Sequence, residues 1–287
     1  MAARIAWVLN LDADLELAAG ARYSPTRGVV QAMQVHAARL VGTLVSPDAL
    51  VVDDASPPGI ARGLVGRAFC PTPRALALLV RAGAAPEAHP SAAVLRAVNS
   101  RAFAASLGAT LPGAAFETEL AAAVAHLAAV PPVGDAWRLK RAFGMAGRGQ
   151  RIAAMPASEA DIAFVKAGVA AGGVQVEPNV TILEEYASHG RLAPDGTAVH
   201  GAVVRQVCDA RGAWLRSEPL PQGDVPPAAI AEEAQRVARA LANAGYFGPF
   251  GVDAYTYRDA HGRPALQPRS EINARYSMGF AVGFGVG

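Results

Sequence analysis

The apolar positions of this chain change period several times, and each change marks an element. Residues 5–10 open with a short continuous apolar run, which reads as a buried strand. Over residues 29–44, Val30, Met33, Ala37 and Leu40 return at helical spacing. A second strand is expected at 50–53, ending in acids. Thr72-Pro73 predicts a helix start, with threonine as the cap and proline in the first turn, where an N–H is not needed. That helix runs to about Arg81 and stops at Gly83. The alternation of strand and helix predicts a parallel α/β lobe over residues 1–90.

A helical stretch follows. Ser91 caps one helix, Asn99-Ser100 opens another that ends at Gly108, and 117–129 form a third, closed by Pro131-Pro132. The texture then turns to strands at 137–141 and 150–153, separated by a glycine-rich loop at 144–149. Ser158 and Asp161 form a capping-box pair at the next helix, and a strand follows at 174–177. These elements make a second unit of residues 91–175. The third unit, 176–287, begins with strands at 182–187 and 198–208 and turns at 194–196 and 209–212. Ile230, Ala234, Val237 and Leu241 share one face of a helix expected over 226–244. A hairpin closes the pattern, with strands around 251–255 and 266–275 and a turn at 259–262. The class is α/β followed by α+β.

Composition narrows the function classes. The chain has 287 residues, 52% apolar and 17% charged, which excludes a disordered chain and allows several cores. Its formal charge is +2 with no basic run, so nucleic acid is not an expected partner. The apolar run 5–9 is too short for a signal peptide and no segment is long enough to span a membrane, so a cytoplasmic protein is expected. Cys70 and Cys208 stand far apart, outside any metal-ligand spacing, and read as free thiols.

The candidate chemistry lies in three places. In the hairpin, alternation puts Glu271, Asn273 and Arg275 on one face of a regular strand, and the turn brings Asp253 beside them. Two carboxylates and an amide oxygen suit Mg²⁺, a hard cation that accompanies phosphates, and an arginine suits the same anion. A solvent-facing polar hairpin is the alternative. Upstream, Lys140 precedes Gly144, Gly147 and Gly149, whose backbone N–H groups can approach phosphate oxygens; Arg148 lies among them, and a plain hairpin tip is the competing reading. Between these, Val176, Glu177 and Asn179 lie where one β region gives way to the next. Exposed backbone there can meet an adenine edge, and Glu184 or Glu185 can accept from a ribose. An ordinary acidic strand would look the same.

The order of lysine with glycine loop, acidic hinge, and Asp…Glu-x-Asn-x-Arg hairpin resembles the ATP-grasp superfamily, over residues from about 99 to 279. The first lobe resembles the pre-ATP-grasp domain. The resemblance implies ATP as substrate and Mg²⁺ as cofactor, in two ions, with Mn²⁺ as a substitute. It implies phosphate contacts from Lys140, a mobile loop at Gly144, Gly147 and Gly149, an adenine hinge at Val176, Glu177 and Asn179, and ribose at Glu184. Asp253, Glu271 and Asn273 become the metal ligands, and Arg275 contacts the transferred phosphoryl group. Arg101 stands where many members carry a second lysine, and is the departure from the pattern. The implied activity joins a small carboxylate to an amine through an acyl phosphate, in a protein that is a homodimer in many relatives. A phosphotransferase, a non-catalytic nucleotide-binding protein and a nicotinamide-dependent oxidoreductase are the alternatives. The last lacks its glycine fingerprint, since Asn10-Leu11-Asp12 follows the first strand.

Overall fold

The computed structural model describes residues 5–145, 148–209, 214–224 and 226–285. Its architecture is three sheets in three successive stretches of chain. The first sheet contains β1 (Ile5–Val8), β2 (Leu50–Val51), β3 (Val65–Ala68) and β4 (Ala85–Pro86), all parallel in the order β2-β1-β3-β4. Helix α1 (Ala13–Ala19) begins directly after β1, α2 (Arg27–Ala38) follows, and α3 (Pro73–Arg81) turns Ala75, Leu78 and Leu79 onto Ala6 and Val8. Three of these elements, β3, β4 and α1, were not expected. β3 holds a single β-branched residue and a glycine, so only its partners reveal it. α1 hides because Asp12 and Asp14 read as the end of a strand.

Helices α4 (Ala92–Val98) and α5 (Arg101–Ser106) lead to the second sheet. It comprises β5 (Ala115–Glu117), β6 (Trp137–Met145), β7 (Arg148–Ala153) and β8 (Val174–Pro178), antiparallel in the order β5-β8-β6-β7. Helices α6 (Leu120–Ala128) and α7 (Glu159–Ala170) cover one face. The helix expected at 117–129 starts later, at Leu120, and its first expected residue, Glu117, pairs in β5. The capping box at Ser158 and Asp161 forms in both directions. Trp137, Leu139, Val174 and Val176 point into the core beneath the helices. Strand alternation then sends Arg138, Lys140, Gln175 and Glu177 to the opposite, uncovered face. The glycine-rich segment is a hairpin and not a long loop: Met145 pairs with Arg148, Gly144 belongs to β6 and Gly149 to β7.

The third sheet has six strands: β9 (Ile182–Leu192), β10 (Ala198–His200), β11 (Val204–Cys208), β12 (Trp214–Pro219), β13 (Gly248–Arg258) and β14 (Pro264–Asn273). The main order is β12-β11-β9-β13-β14, with β10 also paired to β9. β12 was not expected, and three residues of the turn expected before it, 210–212, lie outside the described residues. Helix α8 (Ala228–Asn243) crosses the back of this sheet and buries Ala234, Val237 and Leu241 against Phe250, Val252 and Ile272. A short helix, α9 (Phe280–Phe284), ends the described chain. No helix among the described residues is long and apolar enough to cross a membrane.

Leu241 is fully buried where α8 meets the sheet. Leu241→Ala should destabilise the protein by about 2–5 kcal/mol, through lost burial and a residual cavity. Val80→Ala, on an exposed face of α3, should stay within about 0.5 kcal/mol. Urea unfolding of both variants checks the pair.

Candidate active site

The uncovered face of the second sheet and the polar face of the third enclose a cleft of about 930 Å³. Arg138, Lys140, Gly144 and Glu177 line it from one side; Glu184, Glu185, Asp253, Tyr255, Glu271 and Asn273 line it from the other. Register assembles the acidic group. Asp253 pairs with Glu271 across β13 and β14, and Gly251 pairs with Asn273. Directly opposed and alternate residues share a face, so the two carboxylates and the amide converge. Val252 and Ile272 face the opposite way, under α8.

Asp253 is the centre of this group. Its Oδ1 accepts from Gln206 Nε2 at 2.8 Å and its Oδ2 from Asn273 Nδ2 at 3.0 Å. Burial first, and then the charge of Glu271, push its pKa up to about 7, against the pull of those two hydrogen bonds. Two facing carboxylates in a half-buried site ask for a cation, and an all-oxygen donor set fits Mg²⁺. Among the described residues no cluster of three His, Cys, Asp or Glu side chains forms. The set here is two carboxylates completed by an amide.

Each cleft cation already has an oxygen partner. Lys140 Nζ lies 2.6 Å from Glu177 Oε1. Arg101 donates to Glu271 Oε1 at 2.7 Å and to the Arg141 carbonyl at 2.8 Å, while its buried Nε has no partner. Arg101 thus reaches the acidic group from α5. Arg138, which the sequence did not single out, lines the cleft and donates to Asn179 Oδ1 at 2.7 Å.

Three expectations change. Val176 is fully buried beneath the second sheet, with β5 and β6 pairing on both sides of it, so neither its side chain nor its backbone reaches the cleft. Asn179 turns away: its N–H donates to the Ala136 carbonyl, its side chain is held by Arg138, and its carbonyl packs against Gly134. The segment that does line the cleft here is Glu177, Pro178, Val180 and Ile182. Arg275 lies two residues beyond the end of β14 and leaves the expected face. It donates to Asp14 of α1, with Nη2 at 2.7 Å and Nε at 3.4 Å, and to the Tyr276 carbonyl at 3.1 Å. Burial alone would lower its pKa, and the Asp14 charge reverses this and raises it. Arg275 still lines the cleft, at the edge nearest the first lobe.

The remaining residues are placed as follows. Gly144 lines the cleft, and Gly149 takes a positive φ of 76° that favours glycine. Gly147 and the side chain of Arg148 lie outside what is described. Glu184 is exposed at the cleft wall and accepts from the Tyr186 hydroxyl, while Glu185 accepts from the Cys208 thiol. Gln206 and Tyr255 also belong to the site. Neither is a charged residue in a recognisable spacing, so only β11 and β13 pairing with β9 brings them in.

The Asp253 pKa yields a pH prediction. Its folded value lies above its unfolded one, so the native state holds the proton more tightly. Stability from this group is full below the ordinary carboxylate range and is lost as pH rises to about 7. Asp253→Asn should therefore raise the metal-free Tm at pH 8 and abolish any Tm increase on adding Mg²⁺. In the unmutated protein Mg²⁺ affinity should fall by about tenfold per pH unit below pH 7, since the metal needs the carboxylate. Thermal melts at several pH values, with and without Mg²⁺, measure both effects.

No protein-family model and no curated protein matches the sequence. Solved structures do match the fold. An N5-carboxyaminoimidazole synthetase from Staphylococcus aureus, complexed with ADP, aligns with a TM-score of 0.53 at 12% identity, covering 96% of this chain and 71% of that one. An N5-carboxyaminoimidazole ribonucleotide synthetase in complex with ADP gives 0.52 at 19% identity, with the same coverage. The biotin carboxylase domain dimer of Hydrogenobacter thermophilus 2-oxoglutarate carboxylase, with MgADP, ADP and bicarbonate, gives 0.51 at 14% identity, covering 96% of this chain and 64% of that one. These likenesses extend over 96% of the chain and show its fold: this chain has the ATP-grasp fold.

Proposed function

We propose that the protein is an ATP- and Mg²⁺-dependent ligase that joins a small carboxylate to an amine through an acyl phosphate. The observation that carries this reading is the convergence of Asp253, Glu271 and Asn273 opposite Lys140 in one cleft between two sheets. Solved structures of this fold hold ADP or MgADP, which supports nucleotide as the occupant.

In this reading Lys140 exchanges Glu177 for nucleotide phosphates, and Arg101 adds a second positive charge in place of a lysine. Gly144, Gly147 and Gly149 bring backbone N–H groups to the triphosphate. The adenine edge meets Glu177, Pro178 and Val180, and Glu184 accepts from the ribose. Asp253, Glu271 and Asn273 would hold Mg²⁺, which supplies neutralisation of phosphate charge when bound. A carboxylate oxygen of the substrate then attacks the γ-phosphorus, and the bond to the departing ADP oxygen breaks. The amine nitrogen next attacks the acyl carbon, inorganic phosphate leaves, and the nitrogen gives up a proton. The side chains do no covalent work: they place two anions in line and offset their repulsion. Arg275, anchored on Asp14, faces the transferred group from the first-lobe side.

Lys140→Ala and Glu271→Gln should each lower ADP release by about 10²–10³-fold, as expected for a lost transition-state contact. Asn273→Ala should do the same and weaken Mg²⁺-dependent nucleotide binding. The measurement is coupled ADP release over a panel of small acids and amines, with mass spectrometry of the product. An amide supports the ligase; a stable phosphate ester would assign phosphoryl transfer instead. Normal turnover in any of the three variants would remove that residue from the mechanism.

A further inference from the structure

The cleft continues past the acidic group onto the first sheet, and its chemistry changes there. Leu11, Met33 and Phe69 line this end, with Met278 and Trp214 from the third unit. Leu11 and Phe69 belong to one apolar cluster, and Met33 and Met278 pack against it. Arg275 marks the junction with the acidic group: its guanidinium lies 5.6 Å from the centre of the Phe69 ring. Trp214 is fixed by donation from Nε1 to Ser217 Oγ at 2.9 Å, and Ser217 packs so tightly on Gly279 that any side chain there would collide with it.

The charges around this end are already matched among the described residues. Asp14 holds Arg275, Asp12 accepts from the Tyr23 hydroxyl, and Glu16 accepts from Thr72 and from the Arg74 N–H. Arg205 faces Glu218 at 3.5 Å. His36 lines the same end, and burial, with Arg39 beside it, lowers its pKa. Two polar resources remain. The Ser277 hydroxyl is buried, belongs to a residue lining the cleft and has no partner. Arg275 has more N–H groups than its acceptors use.

We propose that this end selects the substrate acid, and that the acid is a small monocarboxylate with an apolar, unphosphorylated side chain. The carboxylate lies at Arg275, where the γ-phosphoryl group would reach it, and the Ser277 hydroxyl donates to it. The side chain packs on Leu11, Met33, Phe69 and Met278. A second carboxylate or a phosphate would be desolvated there, where the lining arginines, Arg205 and Arg275, are already paired with acids, which is a strong basis for rejection. This inference rests on the ligase reading for the identity of the reacting group, but the selectivity of the pocket can be read without turnover.

The test is calorimetric titration of the full chain with isovalerate, phenylacetate, glutarate and 3-phosphoglycerate, each with and without Mg²⁺ and β,γ-imido-ATP. Isovalerate or phenylacetate should bind at least about tenfold more tightly than the two doubly anionic acids. Met33→Asp should weaken that binding by about tenfold or more and leave nucleotide affinity unchanged. Met33 is half-buried on a helix with no buried residue, so the variant should fold. Tighter binding of glutarate or 3-phosphoglycerate, no binding of either apolar acid, or indifference to Met33→Asp would overturn the proposal. Failure of the nucleotide to bind would sink the ligase reading separately, while the order of acid affinities without nucleotide would still judge the pocket.

Discussion

The site depends on one constraint: a β-strand that buries one face must present the other. β13 and β14 are pinned by Val252 and Ile272 beneath α8, so Asp253, Glu271 and Asn273 have only the cleft to face. β6 and β8 are pinned in the same way by Leu139 and Val176, which sends Lys140 and Glu177 across from them. A slip of one residue in either sheet would bury the charges and expose the core. The apolar faces therefore set the register of the chemistry, although none of those residues touches it.

Within the cleft, several cations have carboxylate partners before any ligand arrives, and Arg138 rests on the amide oxygens of Asn179 and Gln150 instead. Lys140 rests on Glu177, Arg101 on Glu271 and Arg275 on Asp14. Such pairing avoids leaving unmatched charge in a partly desolvated site. It also means that any anion or cation entering the cleft would replace existing contacts, so binding would be an exchange among ion pairs. Asp253 is the exception. It faces Glu271 without a cation of its own, and burial first, then that facing charge, raise its pKa.

Much of this was legible in the sequence because the signals were local. The Glu-Ile-Asn-Ala-Arg segment reads as alternation, and the turn at Asp259 places Asp253 opposite. Ser158 and Asp161 announce their helix. What was not legible depended on distant partners. β3 is a weak strand formed by neighbours on both sides. Val176 and Asn179 looked like an open hinge, but burial and pairing at those two positions are set by β5, by the 134–136 segment and by Arg138, all remote in sequence. Arg275 follows the alternating pattern on paper, yet the strand ends at Asn273, and an aspartate 261 residues away decides where the guanidinium goes.

That last contact has a consequence for modularity. Asp14 comes from the first lobe and Arg275 from the last strand's exit, so the two ends of the chain share one buried ion pair at the rim of the cleft. The first lobe is in this sense a structural tenant of the other two sheets, not an independent appendage. A chimera that grafted a different first lobe onto the remaining two sheets would have to bring an acid to that same spot, or leave a buried arginine uncompensated at the edge of the cleft.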